Sequence, residues 1–344
     1  MRIEGSLKKA LLFARAPYNT DIVFDPNSRY NSDGLLDSII LTKRKFLDHG
    51  IDLVAGDNLK EGNFEFYLFT EIPKNSIDLV NQSKSYLMLM ETELIIPWNW
   101  NTESHKKFKK IFTWNDELID NKRYYKYNNG RSGTTDWVSF KERKKLCTLI
   151  SGNKDVRHPL ELYSLRKDFI EYFEDGKQQY FDFFGQGWDR YIFTGPKIVR
   201  ALNRVLFLQR LLAPKYKTYK GTVARKVDTL KYYKFSICFE NGRDLPDGHI
   251  SEKIFDSLAA GCVPIYYGAH NITDYVPENC FVDYRKFKSK DELFQFINEI
   301  SEDKFTDYLL NIKTFMASTA YEKFTPEFNS NVLVNEILKD ISDL

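Results

Sequence analysis

The chain has 344 residues, 42% of them hydrophobic and 28% charged, with a formal net charge of +2. That length holds two globular cores, and the composition excludes a disordered or fibrous chain. A charge so near zero excludes a global field that would draw the protein to nucleic acid.

Leu11 to Arg15 reads as a strand, Ser38 to His49 as a helix stopped by Gly50, and Ile51 to Ala55 and Phe64 to Phe69 as two further strands. Ile77 to Ser83 predicts a short helix, Tyr86 to Met90 a strand ending in Glu91-Thr92-Glu93, and Lys109 to Trp114 another strand. Residues 115–143 lack a period and predict a loop-dominated linker or flap. Alternation restarts with a strand at Leu146 to Ile150, a helix at Leu160 to Phe173, a strand at Tyr180 to Phe184 and the turn Gly185-Gln186-Gly187. Lys197 to Leu212 predicts one helix. Cys280 to Asp283, helices at Lys290 to Ile300 and Asp303 to Met316, and an amphipathic helix at Asn331 to Ile341 complete the pattern. Strands separated by helices imply parallel pairing. The expected organisation is an N-terminal α/β domain at 1–143, a C-terminal α/β domain at 144–325 and a helical tail at 326–344.

Four scattered cysteines (Cys147, Cys238, Cys262 and Cys280) form no C-x-x-C pair and read as buried thiols of a reducing compartment. Five scattered histidines offer no zinc spacing. The basic runs Lys106 to Lys110 and Arg143 to Lys145 read as solvated surface. The apolar run Ala10 to Ala14 is too short for a signal or membrane segment. A cytoplasmic protein, at most peripheral at the inner face of a membrane, is expected.

The segment Tyr232 to Gly268 carries the strongest signal. An apolar strand ends in Glu240-Asn241, a glycine-bearing loop follows, Ser251-Glu252-Lys253 opens a helix, Gly261 stops it, and Val263 to Tyr267 is the next strand. Ligands of open α/β sheets bind at the carboxyl ends of strands, where helix N-termini favour anions. Lysine in a first helical turn opposes the dipole, a conflict that a phosphate removes. No G-x-G-x-x-G, G-x-x-x-x-G-K-[ST] or G-x-S-x-G occurs. No D-x-D triplet occurs to hold a divalent metal, so diphosphate charge falls to Arg166, Lys226 and Lys253, with Ser251 both capping the helix and donating to phosphate. Asn241 reads as a ligand contact or an Asx turn. Trp98 and Trp100 read as core or as an acceptor-side stacking platform.

KFSICFEN, GHISEK and AGCVPIYYG resemble the donor-binding signature of the family-10 glycosyltransferases, the α-1,3/α-1,4-fucosyltransferases. The resemblance implies a GT-B fold of two Rossmann-like domains facing across a cleft. It also implies GDP-fucose as donor, an inverting transfer to a glycan hydroxyl in an α-1,3-type linkage, and no required metal or cofactor. A GlcNAc or Glc of a surface glycan or lipopolysaccharide is the expected acceptor, with no nucleic acid as partner. It makes Glu91 the general base, with Glu93 competing for that role. It assigns the donor to Arg166, Lys226, Asn241, Glu252 and Lys253. The family's tyrosine before its T-E-K run is His249 here, and its threonine is Ser251. The histidine opens the alternative of another GDP-linked deoxy or amino-deoxy hexose. A non-catalytic glycan- or nucleotide-binding protein is the reading from another class.

Overall fold

The computed structural model describes residues 7–59, 62–128, 131, 133 and 137–342. Eleven strands among these residues form two separate sheets in which every paired strand runs parallel. Lys8–Phe13 (β1), Ile51–Gly56 (β2), Tyr67–Phe69 (β3), Ser85–Leu89 (β4), Lys110–Thr113 (β5) and Tyr124–Lys126 (β6) make the first, in the order β2-β1-β3-β4-β5-β6. Lys145–Ile150 (β7), Phe181–Phe184 (β8), Tyr233–Phe239 (β9), Val263–Tyr267 (β10) and Val282–Asp283 (β11) make the second, in the order β11-β10-β9-β7-β8. The first lobe adds Asp37–Asp48 (α1) and Thr102–His105 (α2). The second adds Tyr163–Glu174 (α3), Lys197–Ala201 (α4), Leu206–Leu211 (α5), Lys226–Leu230 (α6), Glu252–Ala259 (α7), Lys290–Asn298 (α8), Glu302–Met316 (α9) and Thr319–Glu322 (α10), and Pro326–Ser342 (α11) follows.

Parallel sheets are covered on both faces, so their strands read as apolar runs. All five residues of β4 and all four of β5 are buried. In the second lobe, β9 lies between β7 and β10, and α7 crosses from β9 to β10 over one face. Ile254, Phe255 and Leu258 of α7 are fully buried, each contributing about 1.5–3 kcal/mol over exposure. A β-α-β crossover of this kind sets the start of its helix at the carboxyl edge of the sheet.

Four expectations change. The linker at 115–143 contributes β6 to the edge of the first sheet, because the Asp120 carboxylate accepts from the N–H groups of Lys122, Arg123 and Tyr124 and turns the chain back along β5. Its residues 129, 130, 132 and 134–136 lie outside the described residues, as do 1–6 and 343–344. The helix at Lys197 to Leu212 is broken into α4, a 3-10 turn at Leu202–Arg204 and α5. Asn203 causes the break, since its side chain bonds both the N–H and the C=O of Phe193. The tail is no appendage: α11 packs on α1, and Leu333, Val334 and Ile337 join the core of the first lobe. Ile77 to Ser83 forms two 3-10 turns, Ile77–Leu79 and Gln82–Lys84, in place of a helix.

The lobes are fastened by polar contacts. Lys226 donates its N–H to Asp33 Oδ2 at 2.8 Å, and the Tyr275 hydroxyl donates to Asp116 Oδ1 at 2.5 Å. The Asp116 N–H donates to the carbonyl of Asp247 at 3.0 Å.

Candidate active site

The carboxyl ends of both sheets open into one cleft enclosing a cavity of about 580 Å³. Ala14, Glu71 and Glu91 reach it from behind β1, β3 and β4, and Ser151, Gly185 and Asn241 from behind β7, β8 and β9. Small-ligand sites have this size and this position in α/β folds. Gly185 is required where it stands: a Cβ there would lie 1.9 Å from the carbonyl oxygen of Ser151, and its φ is +142°.

The strand-loop-helix segment is tied at its base by Glu240, which is fully buried. Its Oε1 accepts the Ser251 N–H at 2.8 Å, and its Oε2 lies 3.4 Å from Lys253 Nζ. Ser251 caps α7, its Oγ accepting from the Lys253 N–H and, at 2.9 Å, from Lys253 Nζ. The lysine at the positive helix end is thus held by a serine and a carboxylate beside the cavity it lines. Arg166 is buried below this corner. Its Nη2 donates to the carbonyls of Phe239 and Glu240, both at 2.6 Å, and to Asn241 Oδ1 at 3.3 Å, while Nη1 reaches Ser151 Oγ at 3.3 Å. The guanidinium therefore clamps the ends of β7 and β9 and lines the cleft floor.

Lys226 stands between two carboxylates of α7, with Nζ 3.2 Å from Glu252 Oε1 and 2.8 Å from Asp256 Oδ2. Arg131 Nε approaches Asp256 Oδ1 at 3.3 Å. Burial alone would lower the Lys226 ammonium, but Glu252 and Asp256 raise it above the ordinary lysine value. Burial would likewise raise the Glu252 carboxyl, yet Lys253, Lys226 and Arg131 hold it well below the carboxylate range. Burial prevails at Asp256, whose carboxyl is raised against the pull of Lys226 and Arg131.

Across the cleft, Glu91 follows β4 and Glu71 follows the neighbouring β3. Glu91 is exposed, yet desolvation by the surrounding cleft raises its carboxyl, against Lys154 and Lys253 and with help from Glu252. Burial raises Glu71 as well, opposed by Arg15 at 2.9 Å and reinforced by Glu91. The neighbouring Glu91 carboxylate thus disfavours ionisation of Glu71. Glu93 is exposed and does not line the cavity. Trp98 and Trp100 lie behind the cleft, not along it: their indole N–H groups donate to the carbonyls of Ile72 and Glu91. Trp100 supports the Glu91 backbone.

Among the residues lining the cavity, His249 Nδ1 and the Tyr163 hydroxyl are buried without a hydrogen-bond partner, as is Glu71 Oε2, which has only the ion pair with Arg15. Leaving such atoms unpaired costs about 1–3 kcal/mol each. His249 packs edge-on to Trp114 at 4.7 Å, and burial lowers its pKa, keeping the ring neutral. Among the described residues lining the cavity, Arg131, Lys154, Arg166, Lys226 and Lys253 outnumber the carboxylates Glu71, Glu91 and Glu252. That excess of positive charge suits a diphosphate.

The cleft brings together Glu91, Arg166, Lys226, Asn241, His249, Ser251, Glu252 and Lys253, and leaves out Glu93, Trp98 and Trp100. Sequence reasoning passed over Glu71, Arg131, Lys154, Tyr163 and the anchoring Glu240. Position alone could have flagged two of these, since Glu71 and Glu240 each stand just past the carboxyl end of an apolar strand.

Residues 199–327 match the family model described as glycosyltransferase family 10 (fucosyltransferase) C-term, so the resemblance read from KFSICFEN, GHISEK and AGCVPIYYG is borne out. Curated relatives include an alpha-(1,4)-fucosyltransferase of Arabidopsis thaliana, 36% identical over 74 residues (22% of this chain and 18% of that protein). An alpha-(1,3)-fucosyltransferase FucT of Helicobacter pylori is 35% identical over 83 residues, 24% of this chain and 17% of that protein. The matched stretch thus spans less than a fifth of either relative. Among solved structures, an alpha1,3-fucosyltransferase covers all of this chain and 92% of its own, at 15% identity and a TM-score of 0.56. An alpha-glucosyltransferase in complex with UDP-glucose and DNA covers 98% of this chain and all of its own, at 11% identity and a TM-score of 0.55. The fold is GT-B.

Proposed function

We propose that this chain is an inverting glycosyltransferase of family 10 that moves L-fucose from GDP-fucose to a glycan hydroxyl. The observation that carries the reading is the meeting across one cleft of Glu91, on the first lobe, with Ser251 and Lys253, on the second. Glu91 takes the proton of the acceptor hydroxyl while the oxygen attacks the anomeric carbon. A carboxyl raised above its ordinary value is a stronger base once ionised, which suits this task. As the bond to GDP breaks, negative charge grows on the diphosphate. Lys253 and the N–H groups opening α7 meet that charge, with Lys226 and Arg131 behind them, so that the protein supplies the counter-charge itself. Supporting GDP-fucose as donor are the family match and an alpha1,3-fucosyltransferase solved with GDP-fucose, 16% identical, covering all of this chain and 93% of its own with a TM-score of 0.53.

The transfer is tested by GDP release with GDP-fucose and glycan acceptors ending in GlcNAc or Glc, in wild type and in Glu91→Gln. Loss of release in the variant with retained GDP binding supports the assignment, and full release refutes it.

One observation favours a second donor. His249, where the family has tyrosine, lines the cavity with its Nδ1 buried and unpaired, so a neutral imidazole stands where a phenol hydroxyl would be. A GDP-linked amino-deoxy hexose has polar substituents to meet it. A stabilisation panel of GDP, GDP-fucose, GDP-linked amino sugars, and UDP and dTDP sugars ranks the donors. Stronger stabilisation by a GDP-linked amino sugar than by GDP-fucose selects this second reading.

A further inference from the structure

The segment from Tyr191 to Leu212 has its polarity reversed. In a surface helix the apolar stripe faces the core and the polar side chains face water. Here the buried side chain of α5 is Gln209, whose Nε2 donates to the Tyr191 carbonyl at 3.2 Å, while the Tyr191 N–H donates to the Gln209 carbonyl at 2.8 Å. Asn203 fastens Phe193 by two further bonds, at 2.9 and 2.8 Å. The large apolar side chains point the other way. Ile198 is 85% exposed, Phe207 73% and Leu211 64%. Nine of the sixteen exposed large hydrophobic residues among the described ones fall between Tyr191 and Leu212, so the exposure is a patch and not scatter.

Charge says what such a patch meets. From Arg190 to Val227 the sequence holds ten lysines and arginines and no aspartate or glutamate. With a net charge of only +2 overall, the rest of the chain is net acidic. Lys197, Arg200, Arg204 and Arg210 are exposed on the same short helices as the apolar side chains. Apolar side chains flanked by long cationic ones form the surface of a helix that lies in the plane of an anionic bilayer. No helix among the described residues is long and apolar enough to cross a membrane, so the contact is with one leaflet.

We propose that α4, the Leu202–Arg204 turn and α5 form a docking surface for an anionic lipid bilayer. The apolar side chains enter the headgroup boundary and the cations pair with lipid phosphates. Arg190, Tyr191 and Pro214 also line a second cavity of about 400 Å³, which shares Ser151, Lys154 and Arg166 with the cleft. Docking therefore sets the cleft beside the lipid surface. This inference stands on the patch alone and is independent of the donor chemistry.

Vesicle flotation of the whole chain tests it, with phosphatidylcholine vesicles with and without phosphatidylglycerol. Wild type is expected to float with the anionic vesicles, to stay behind with the neutral ones, and to be released by added salt. The double substitutions Phe207→Asp with Leu211→Asp, and Arg200→Glu with Arg204→Glu, should each weaken partition about tenfold or more while keeping the wild-type melting temperature. Lys106→Glu with Lys107→Glu should float as wild type does. Three results overturn the proposal: wild type that ignores anionic vesicles, patch variants that float undiminished, or a patch that joins two copies of the chain, seen as a dimer that Phe207→Asp dissociates without any vesicle binding.

Discussion

Ser251 donates its N–H to Glu240 Oε1 at 2.8 Å, joining the first residue past the central strand β9 to the cap of α7. The same carboxylate faces Lys253 Nζ at 3.4 Å from inside a fully buried position. Replacing Glu240 by Gln keeps the shape but sets an amide N–H₂ or a neutral carbonyl against the ammonium. We expect Glu240→Gln to lose about 1–3 kcal/mol, the usual effect of a buried group left mispaired. A urea melt should show a lower midpoint with an unchanged slope, and GDP affinity should fall with it.

Glu91→Gln separates chemistry from binding. A general base contributes about 10²- to 10⁴-fold. Transfer should fall by about that factor, while GDP affinity measured by calorimetry stays at the wild-type value. Because the wild-type carboxyl is raised, kcat/KM should decline with falling pH along a limb set above the ordinary carboxylate value of 4.5. A limb at or below that value contradicts the assignment.

The same shift makes a statement about stability. A carboxyl whose folded pKa exceeds its unfolded value binds more protons in the native state. Its contribution is therefore complete at low pH and is lost as pH rises through the folded pKa. Glutamine carries no such loss. Glu91→Gln should melt above wild type at neutral pH, and the gap should close as the buffer is taken down through the raised pKa towards 4.5.

Lys226→Met exposes the Glu252 and Asp256 pair. Lys226 is partly exposed and Arg131 remains beside Asp256, so the cost should be roughly 1–3 kcal/mol, less than the 3–5 of a fully buried pair. Glu252 is depressed in the native state, so the stability it contributes is present above its unfolded pKa and lost as pH falls. The difference between wild type and variant in thermal melts should accordingly be largest near neutrality and shrink in acid.

His249 is held neutral by burial. GDP binding should be flat from about pH 7 to about pH 8, where an ordinary histidine is only finishing its titration. His249→Phe keeps an aromatic ring against Trp114 and removes Nδ1, so it should weaken binding of the true donor sugar more than binding of GDP itself. Equal losses for both ligands would assign His249 to packing.

Much of this architecture was readable from residue order. Gly50 and Gly261, both at positive φ, stop helices where the pattern placed their ends. The apolar runs at Tyr86 to Met90, Leu146 to Ile150 and Phe235 to Phe239 became buried parallel strands, with the hydroxyls of Thr148 and Ser236 bonded inside the fold. Local pattern failed where one side chain redirects the backbone. Asp120 gathers three N–H groups and makes β6 out of an Asn- and Tyr-rich stretch, and Asn203 breaks what apolar spacing reads as one helix. In the cleft, motif-bearing residues were identifiable one by one. Their pairing was not, because Lys226 meets Asp256, and Glu71 stands beside Glu91, only after distant segments come together. Trp98 and Trp100 read as core or as a stacking platform; their indole N–H groups donate to the carbonyls of Ile72 and Glu91, and Trp98 packs against the core of the first lobe.

The central claim is that side chains of the second lobe, with the start of α7, cradle a guanosine diphosphate. Calorimetric titration of the intact chain with GDP in the presence of a chelator tests it most directly. We predict saturable one-to-one binding that Lys253→Met weakens about tenfold or more, in keeping with the loss of a charge-assisted contact to phosphate. Absence of heat with wild type, or binding that returns only when a divalent cation is restored, would contradict it.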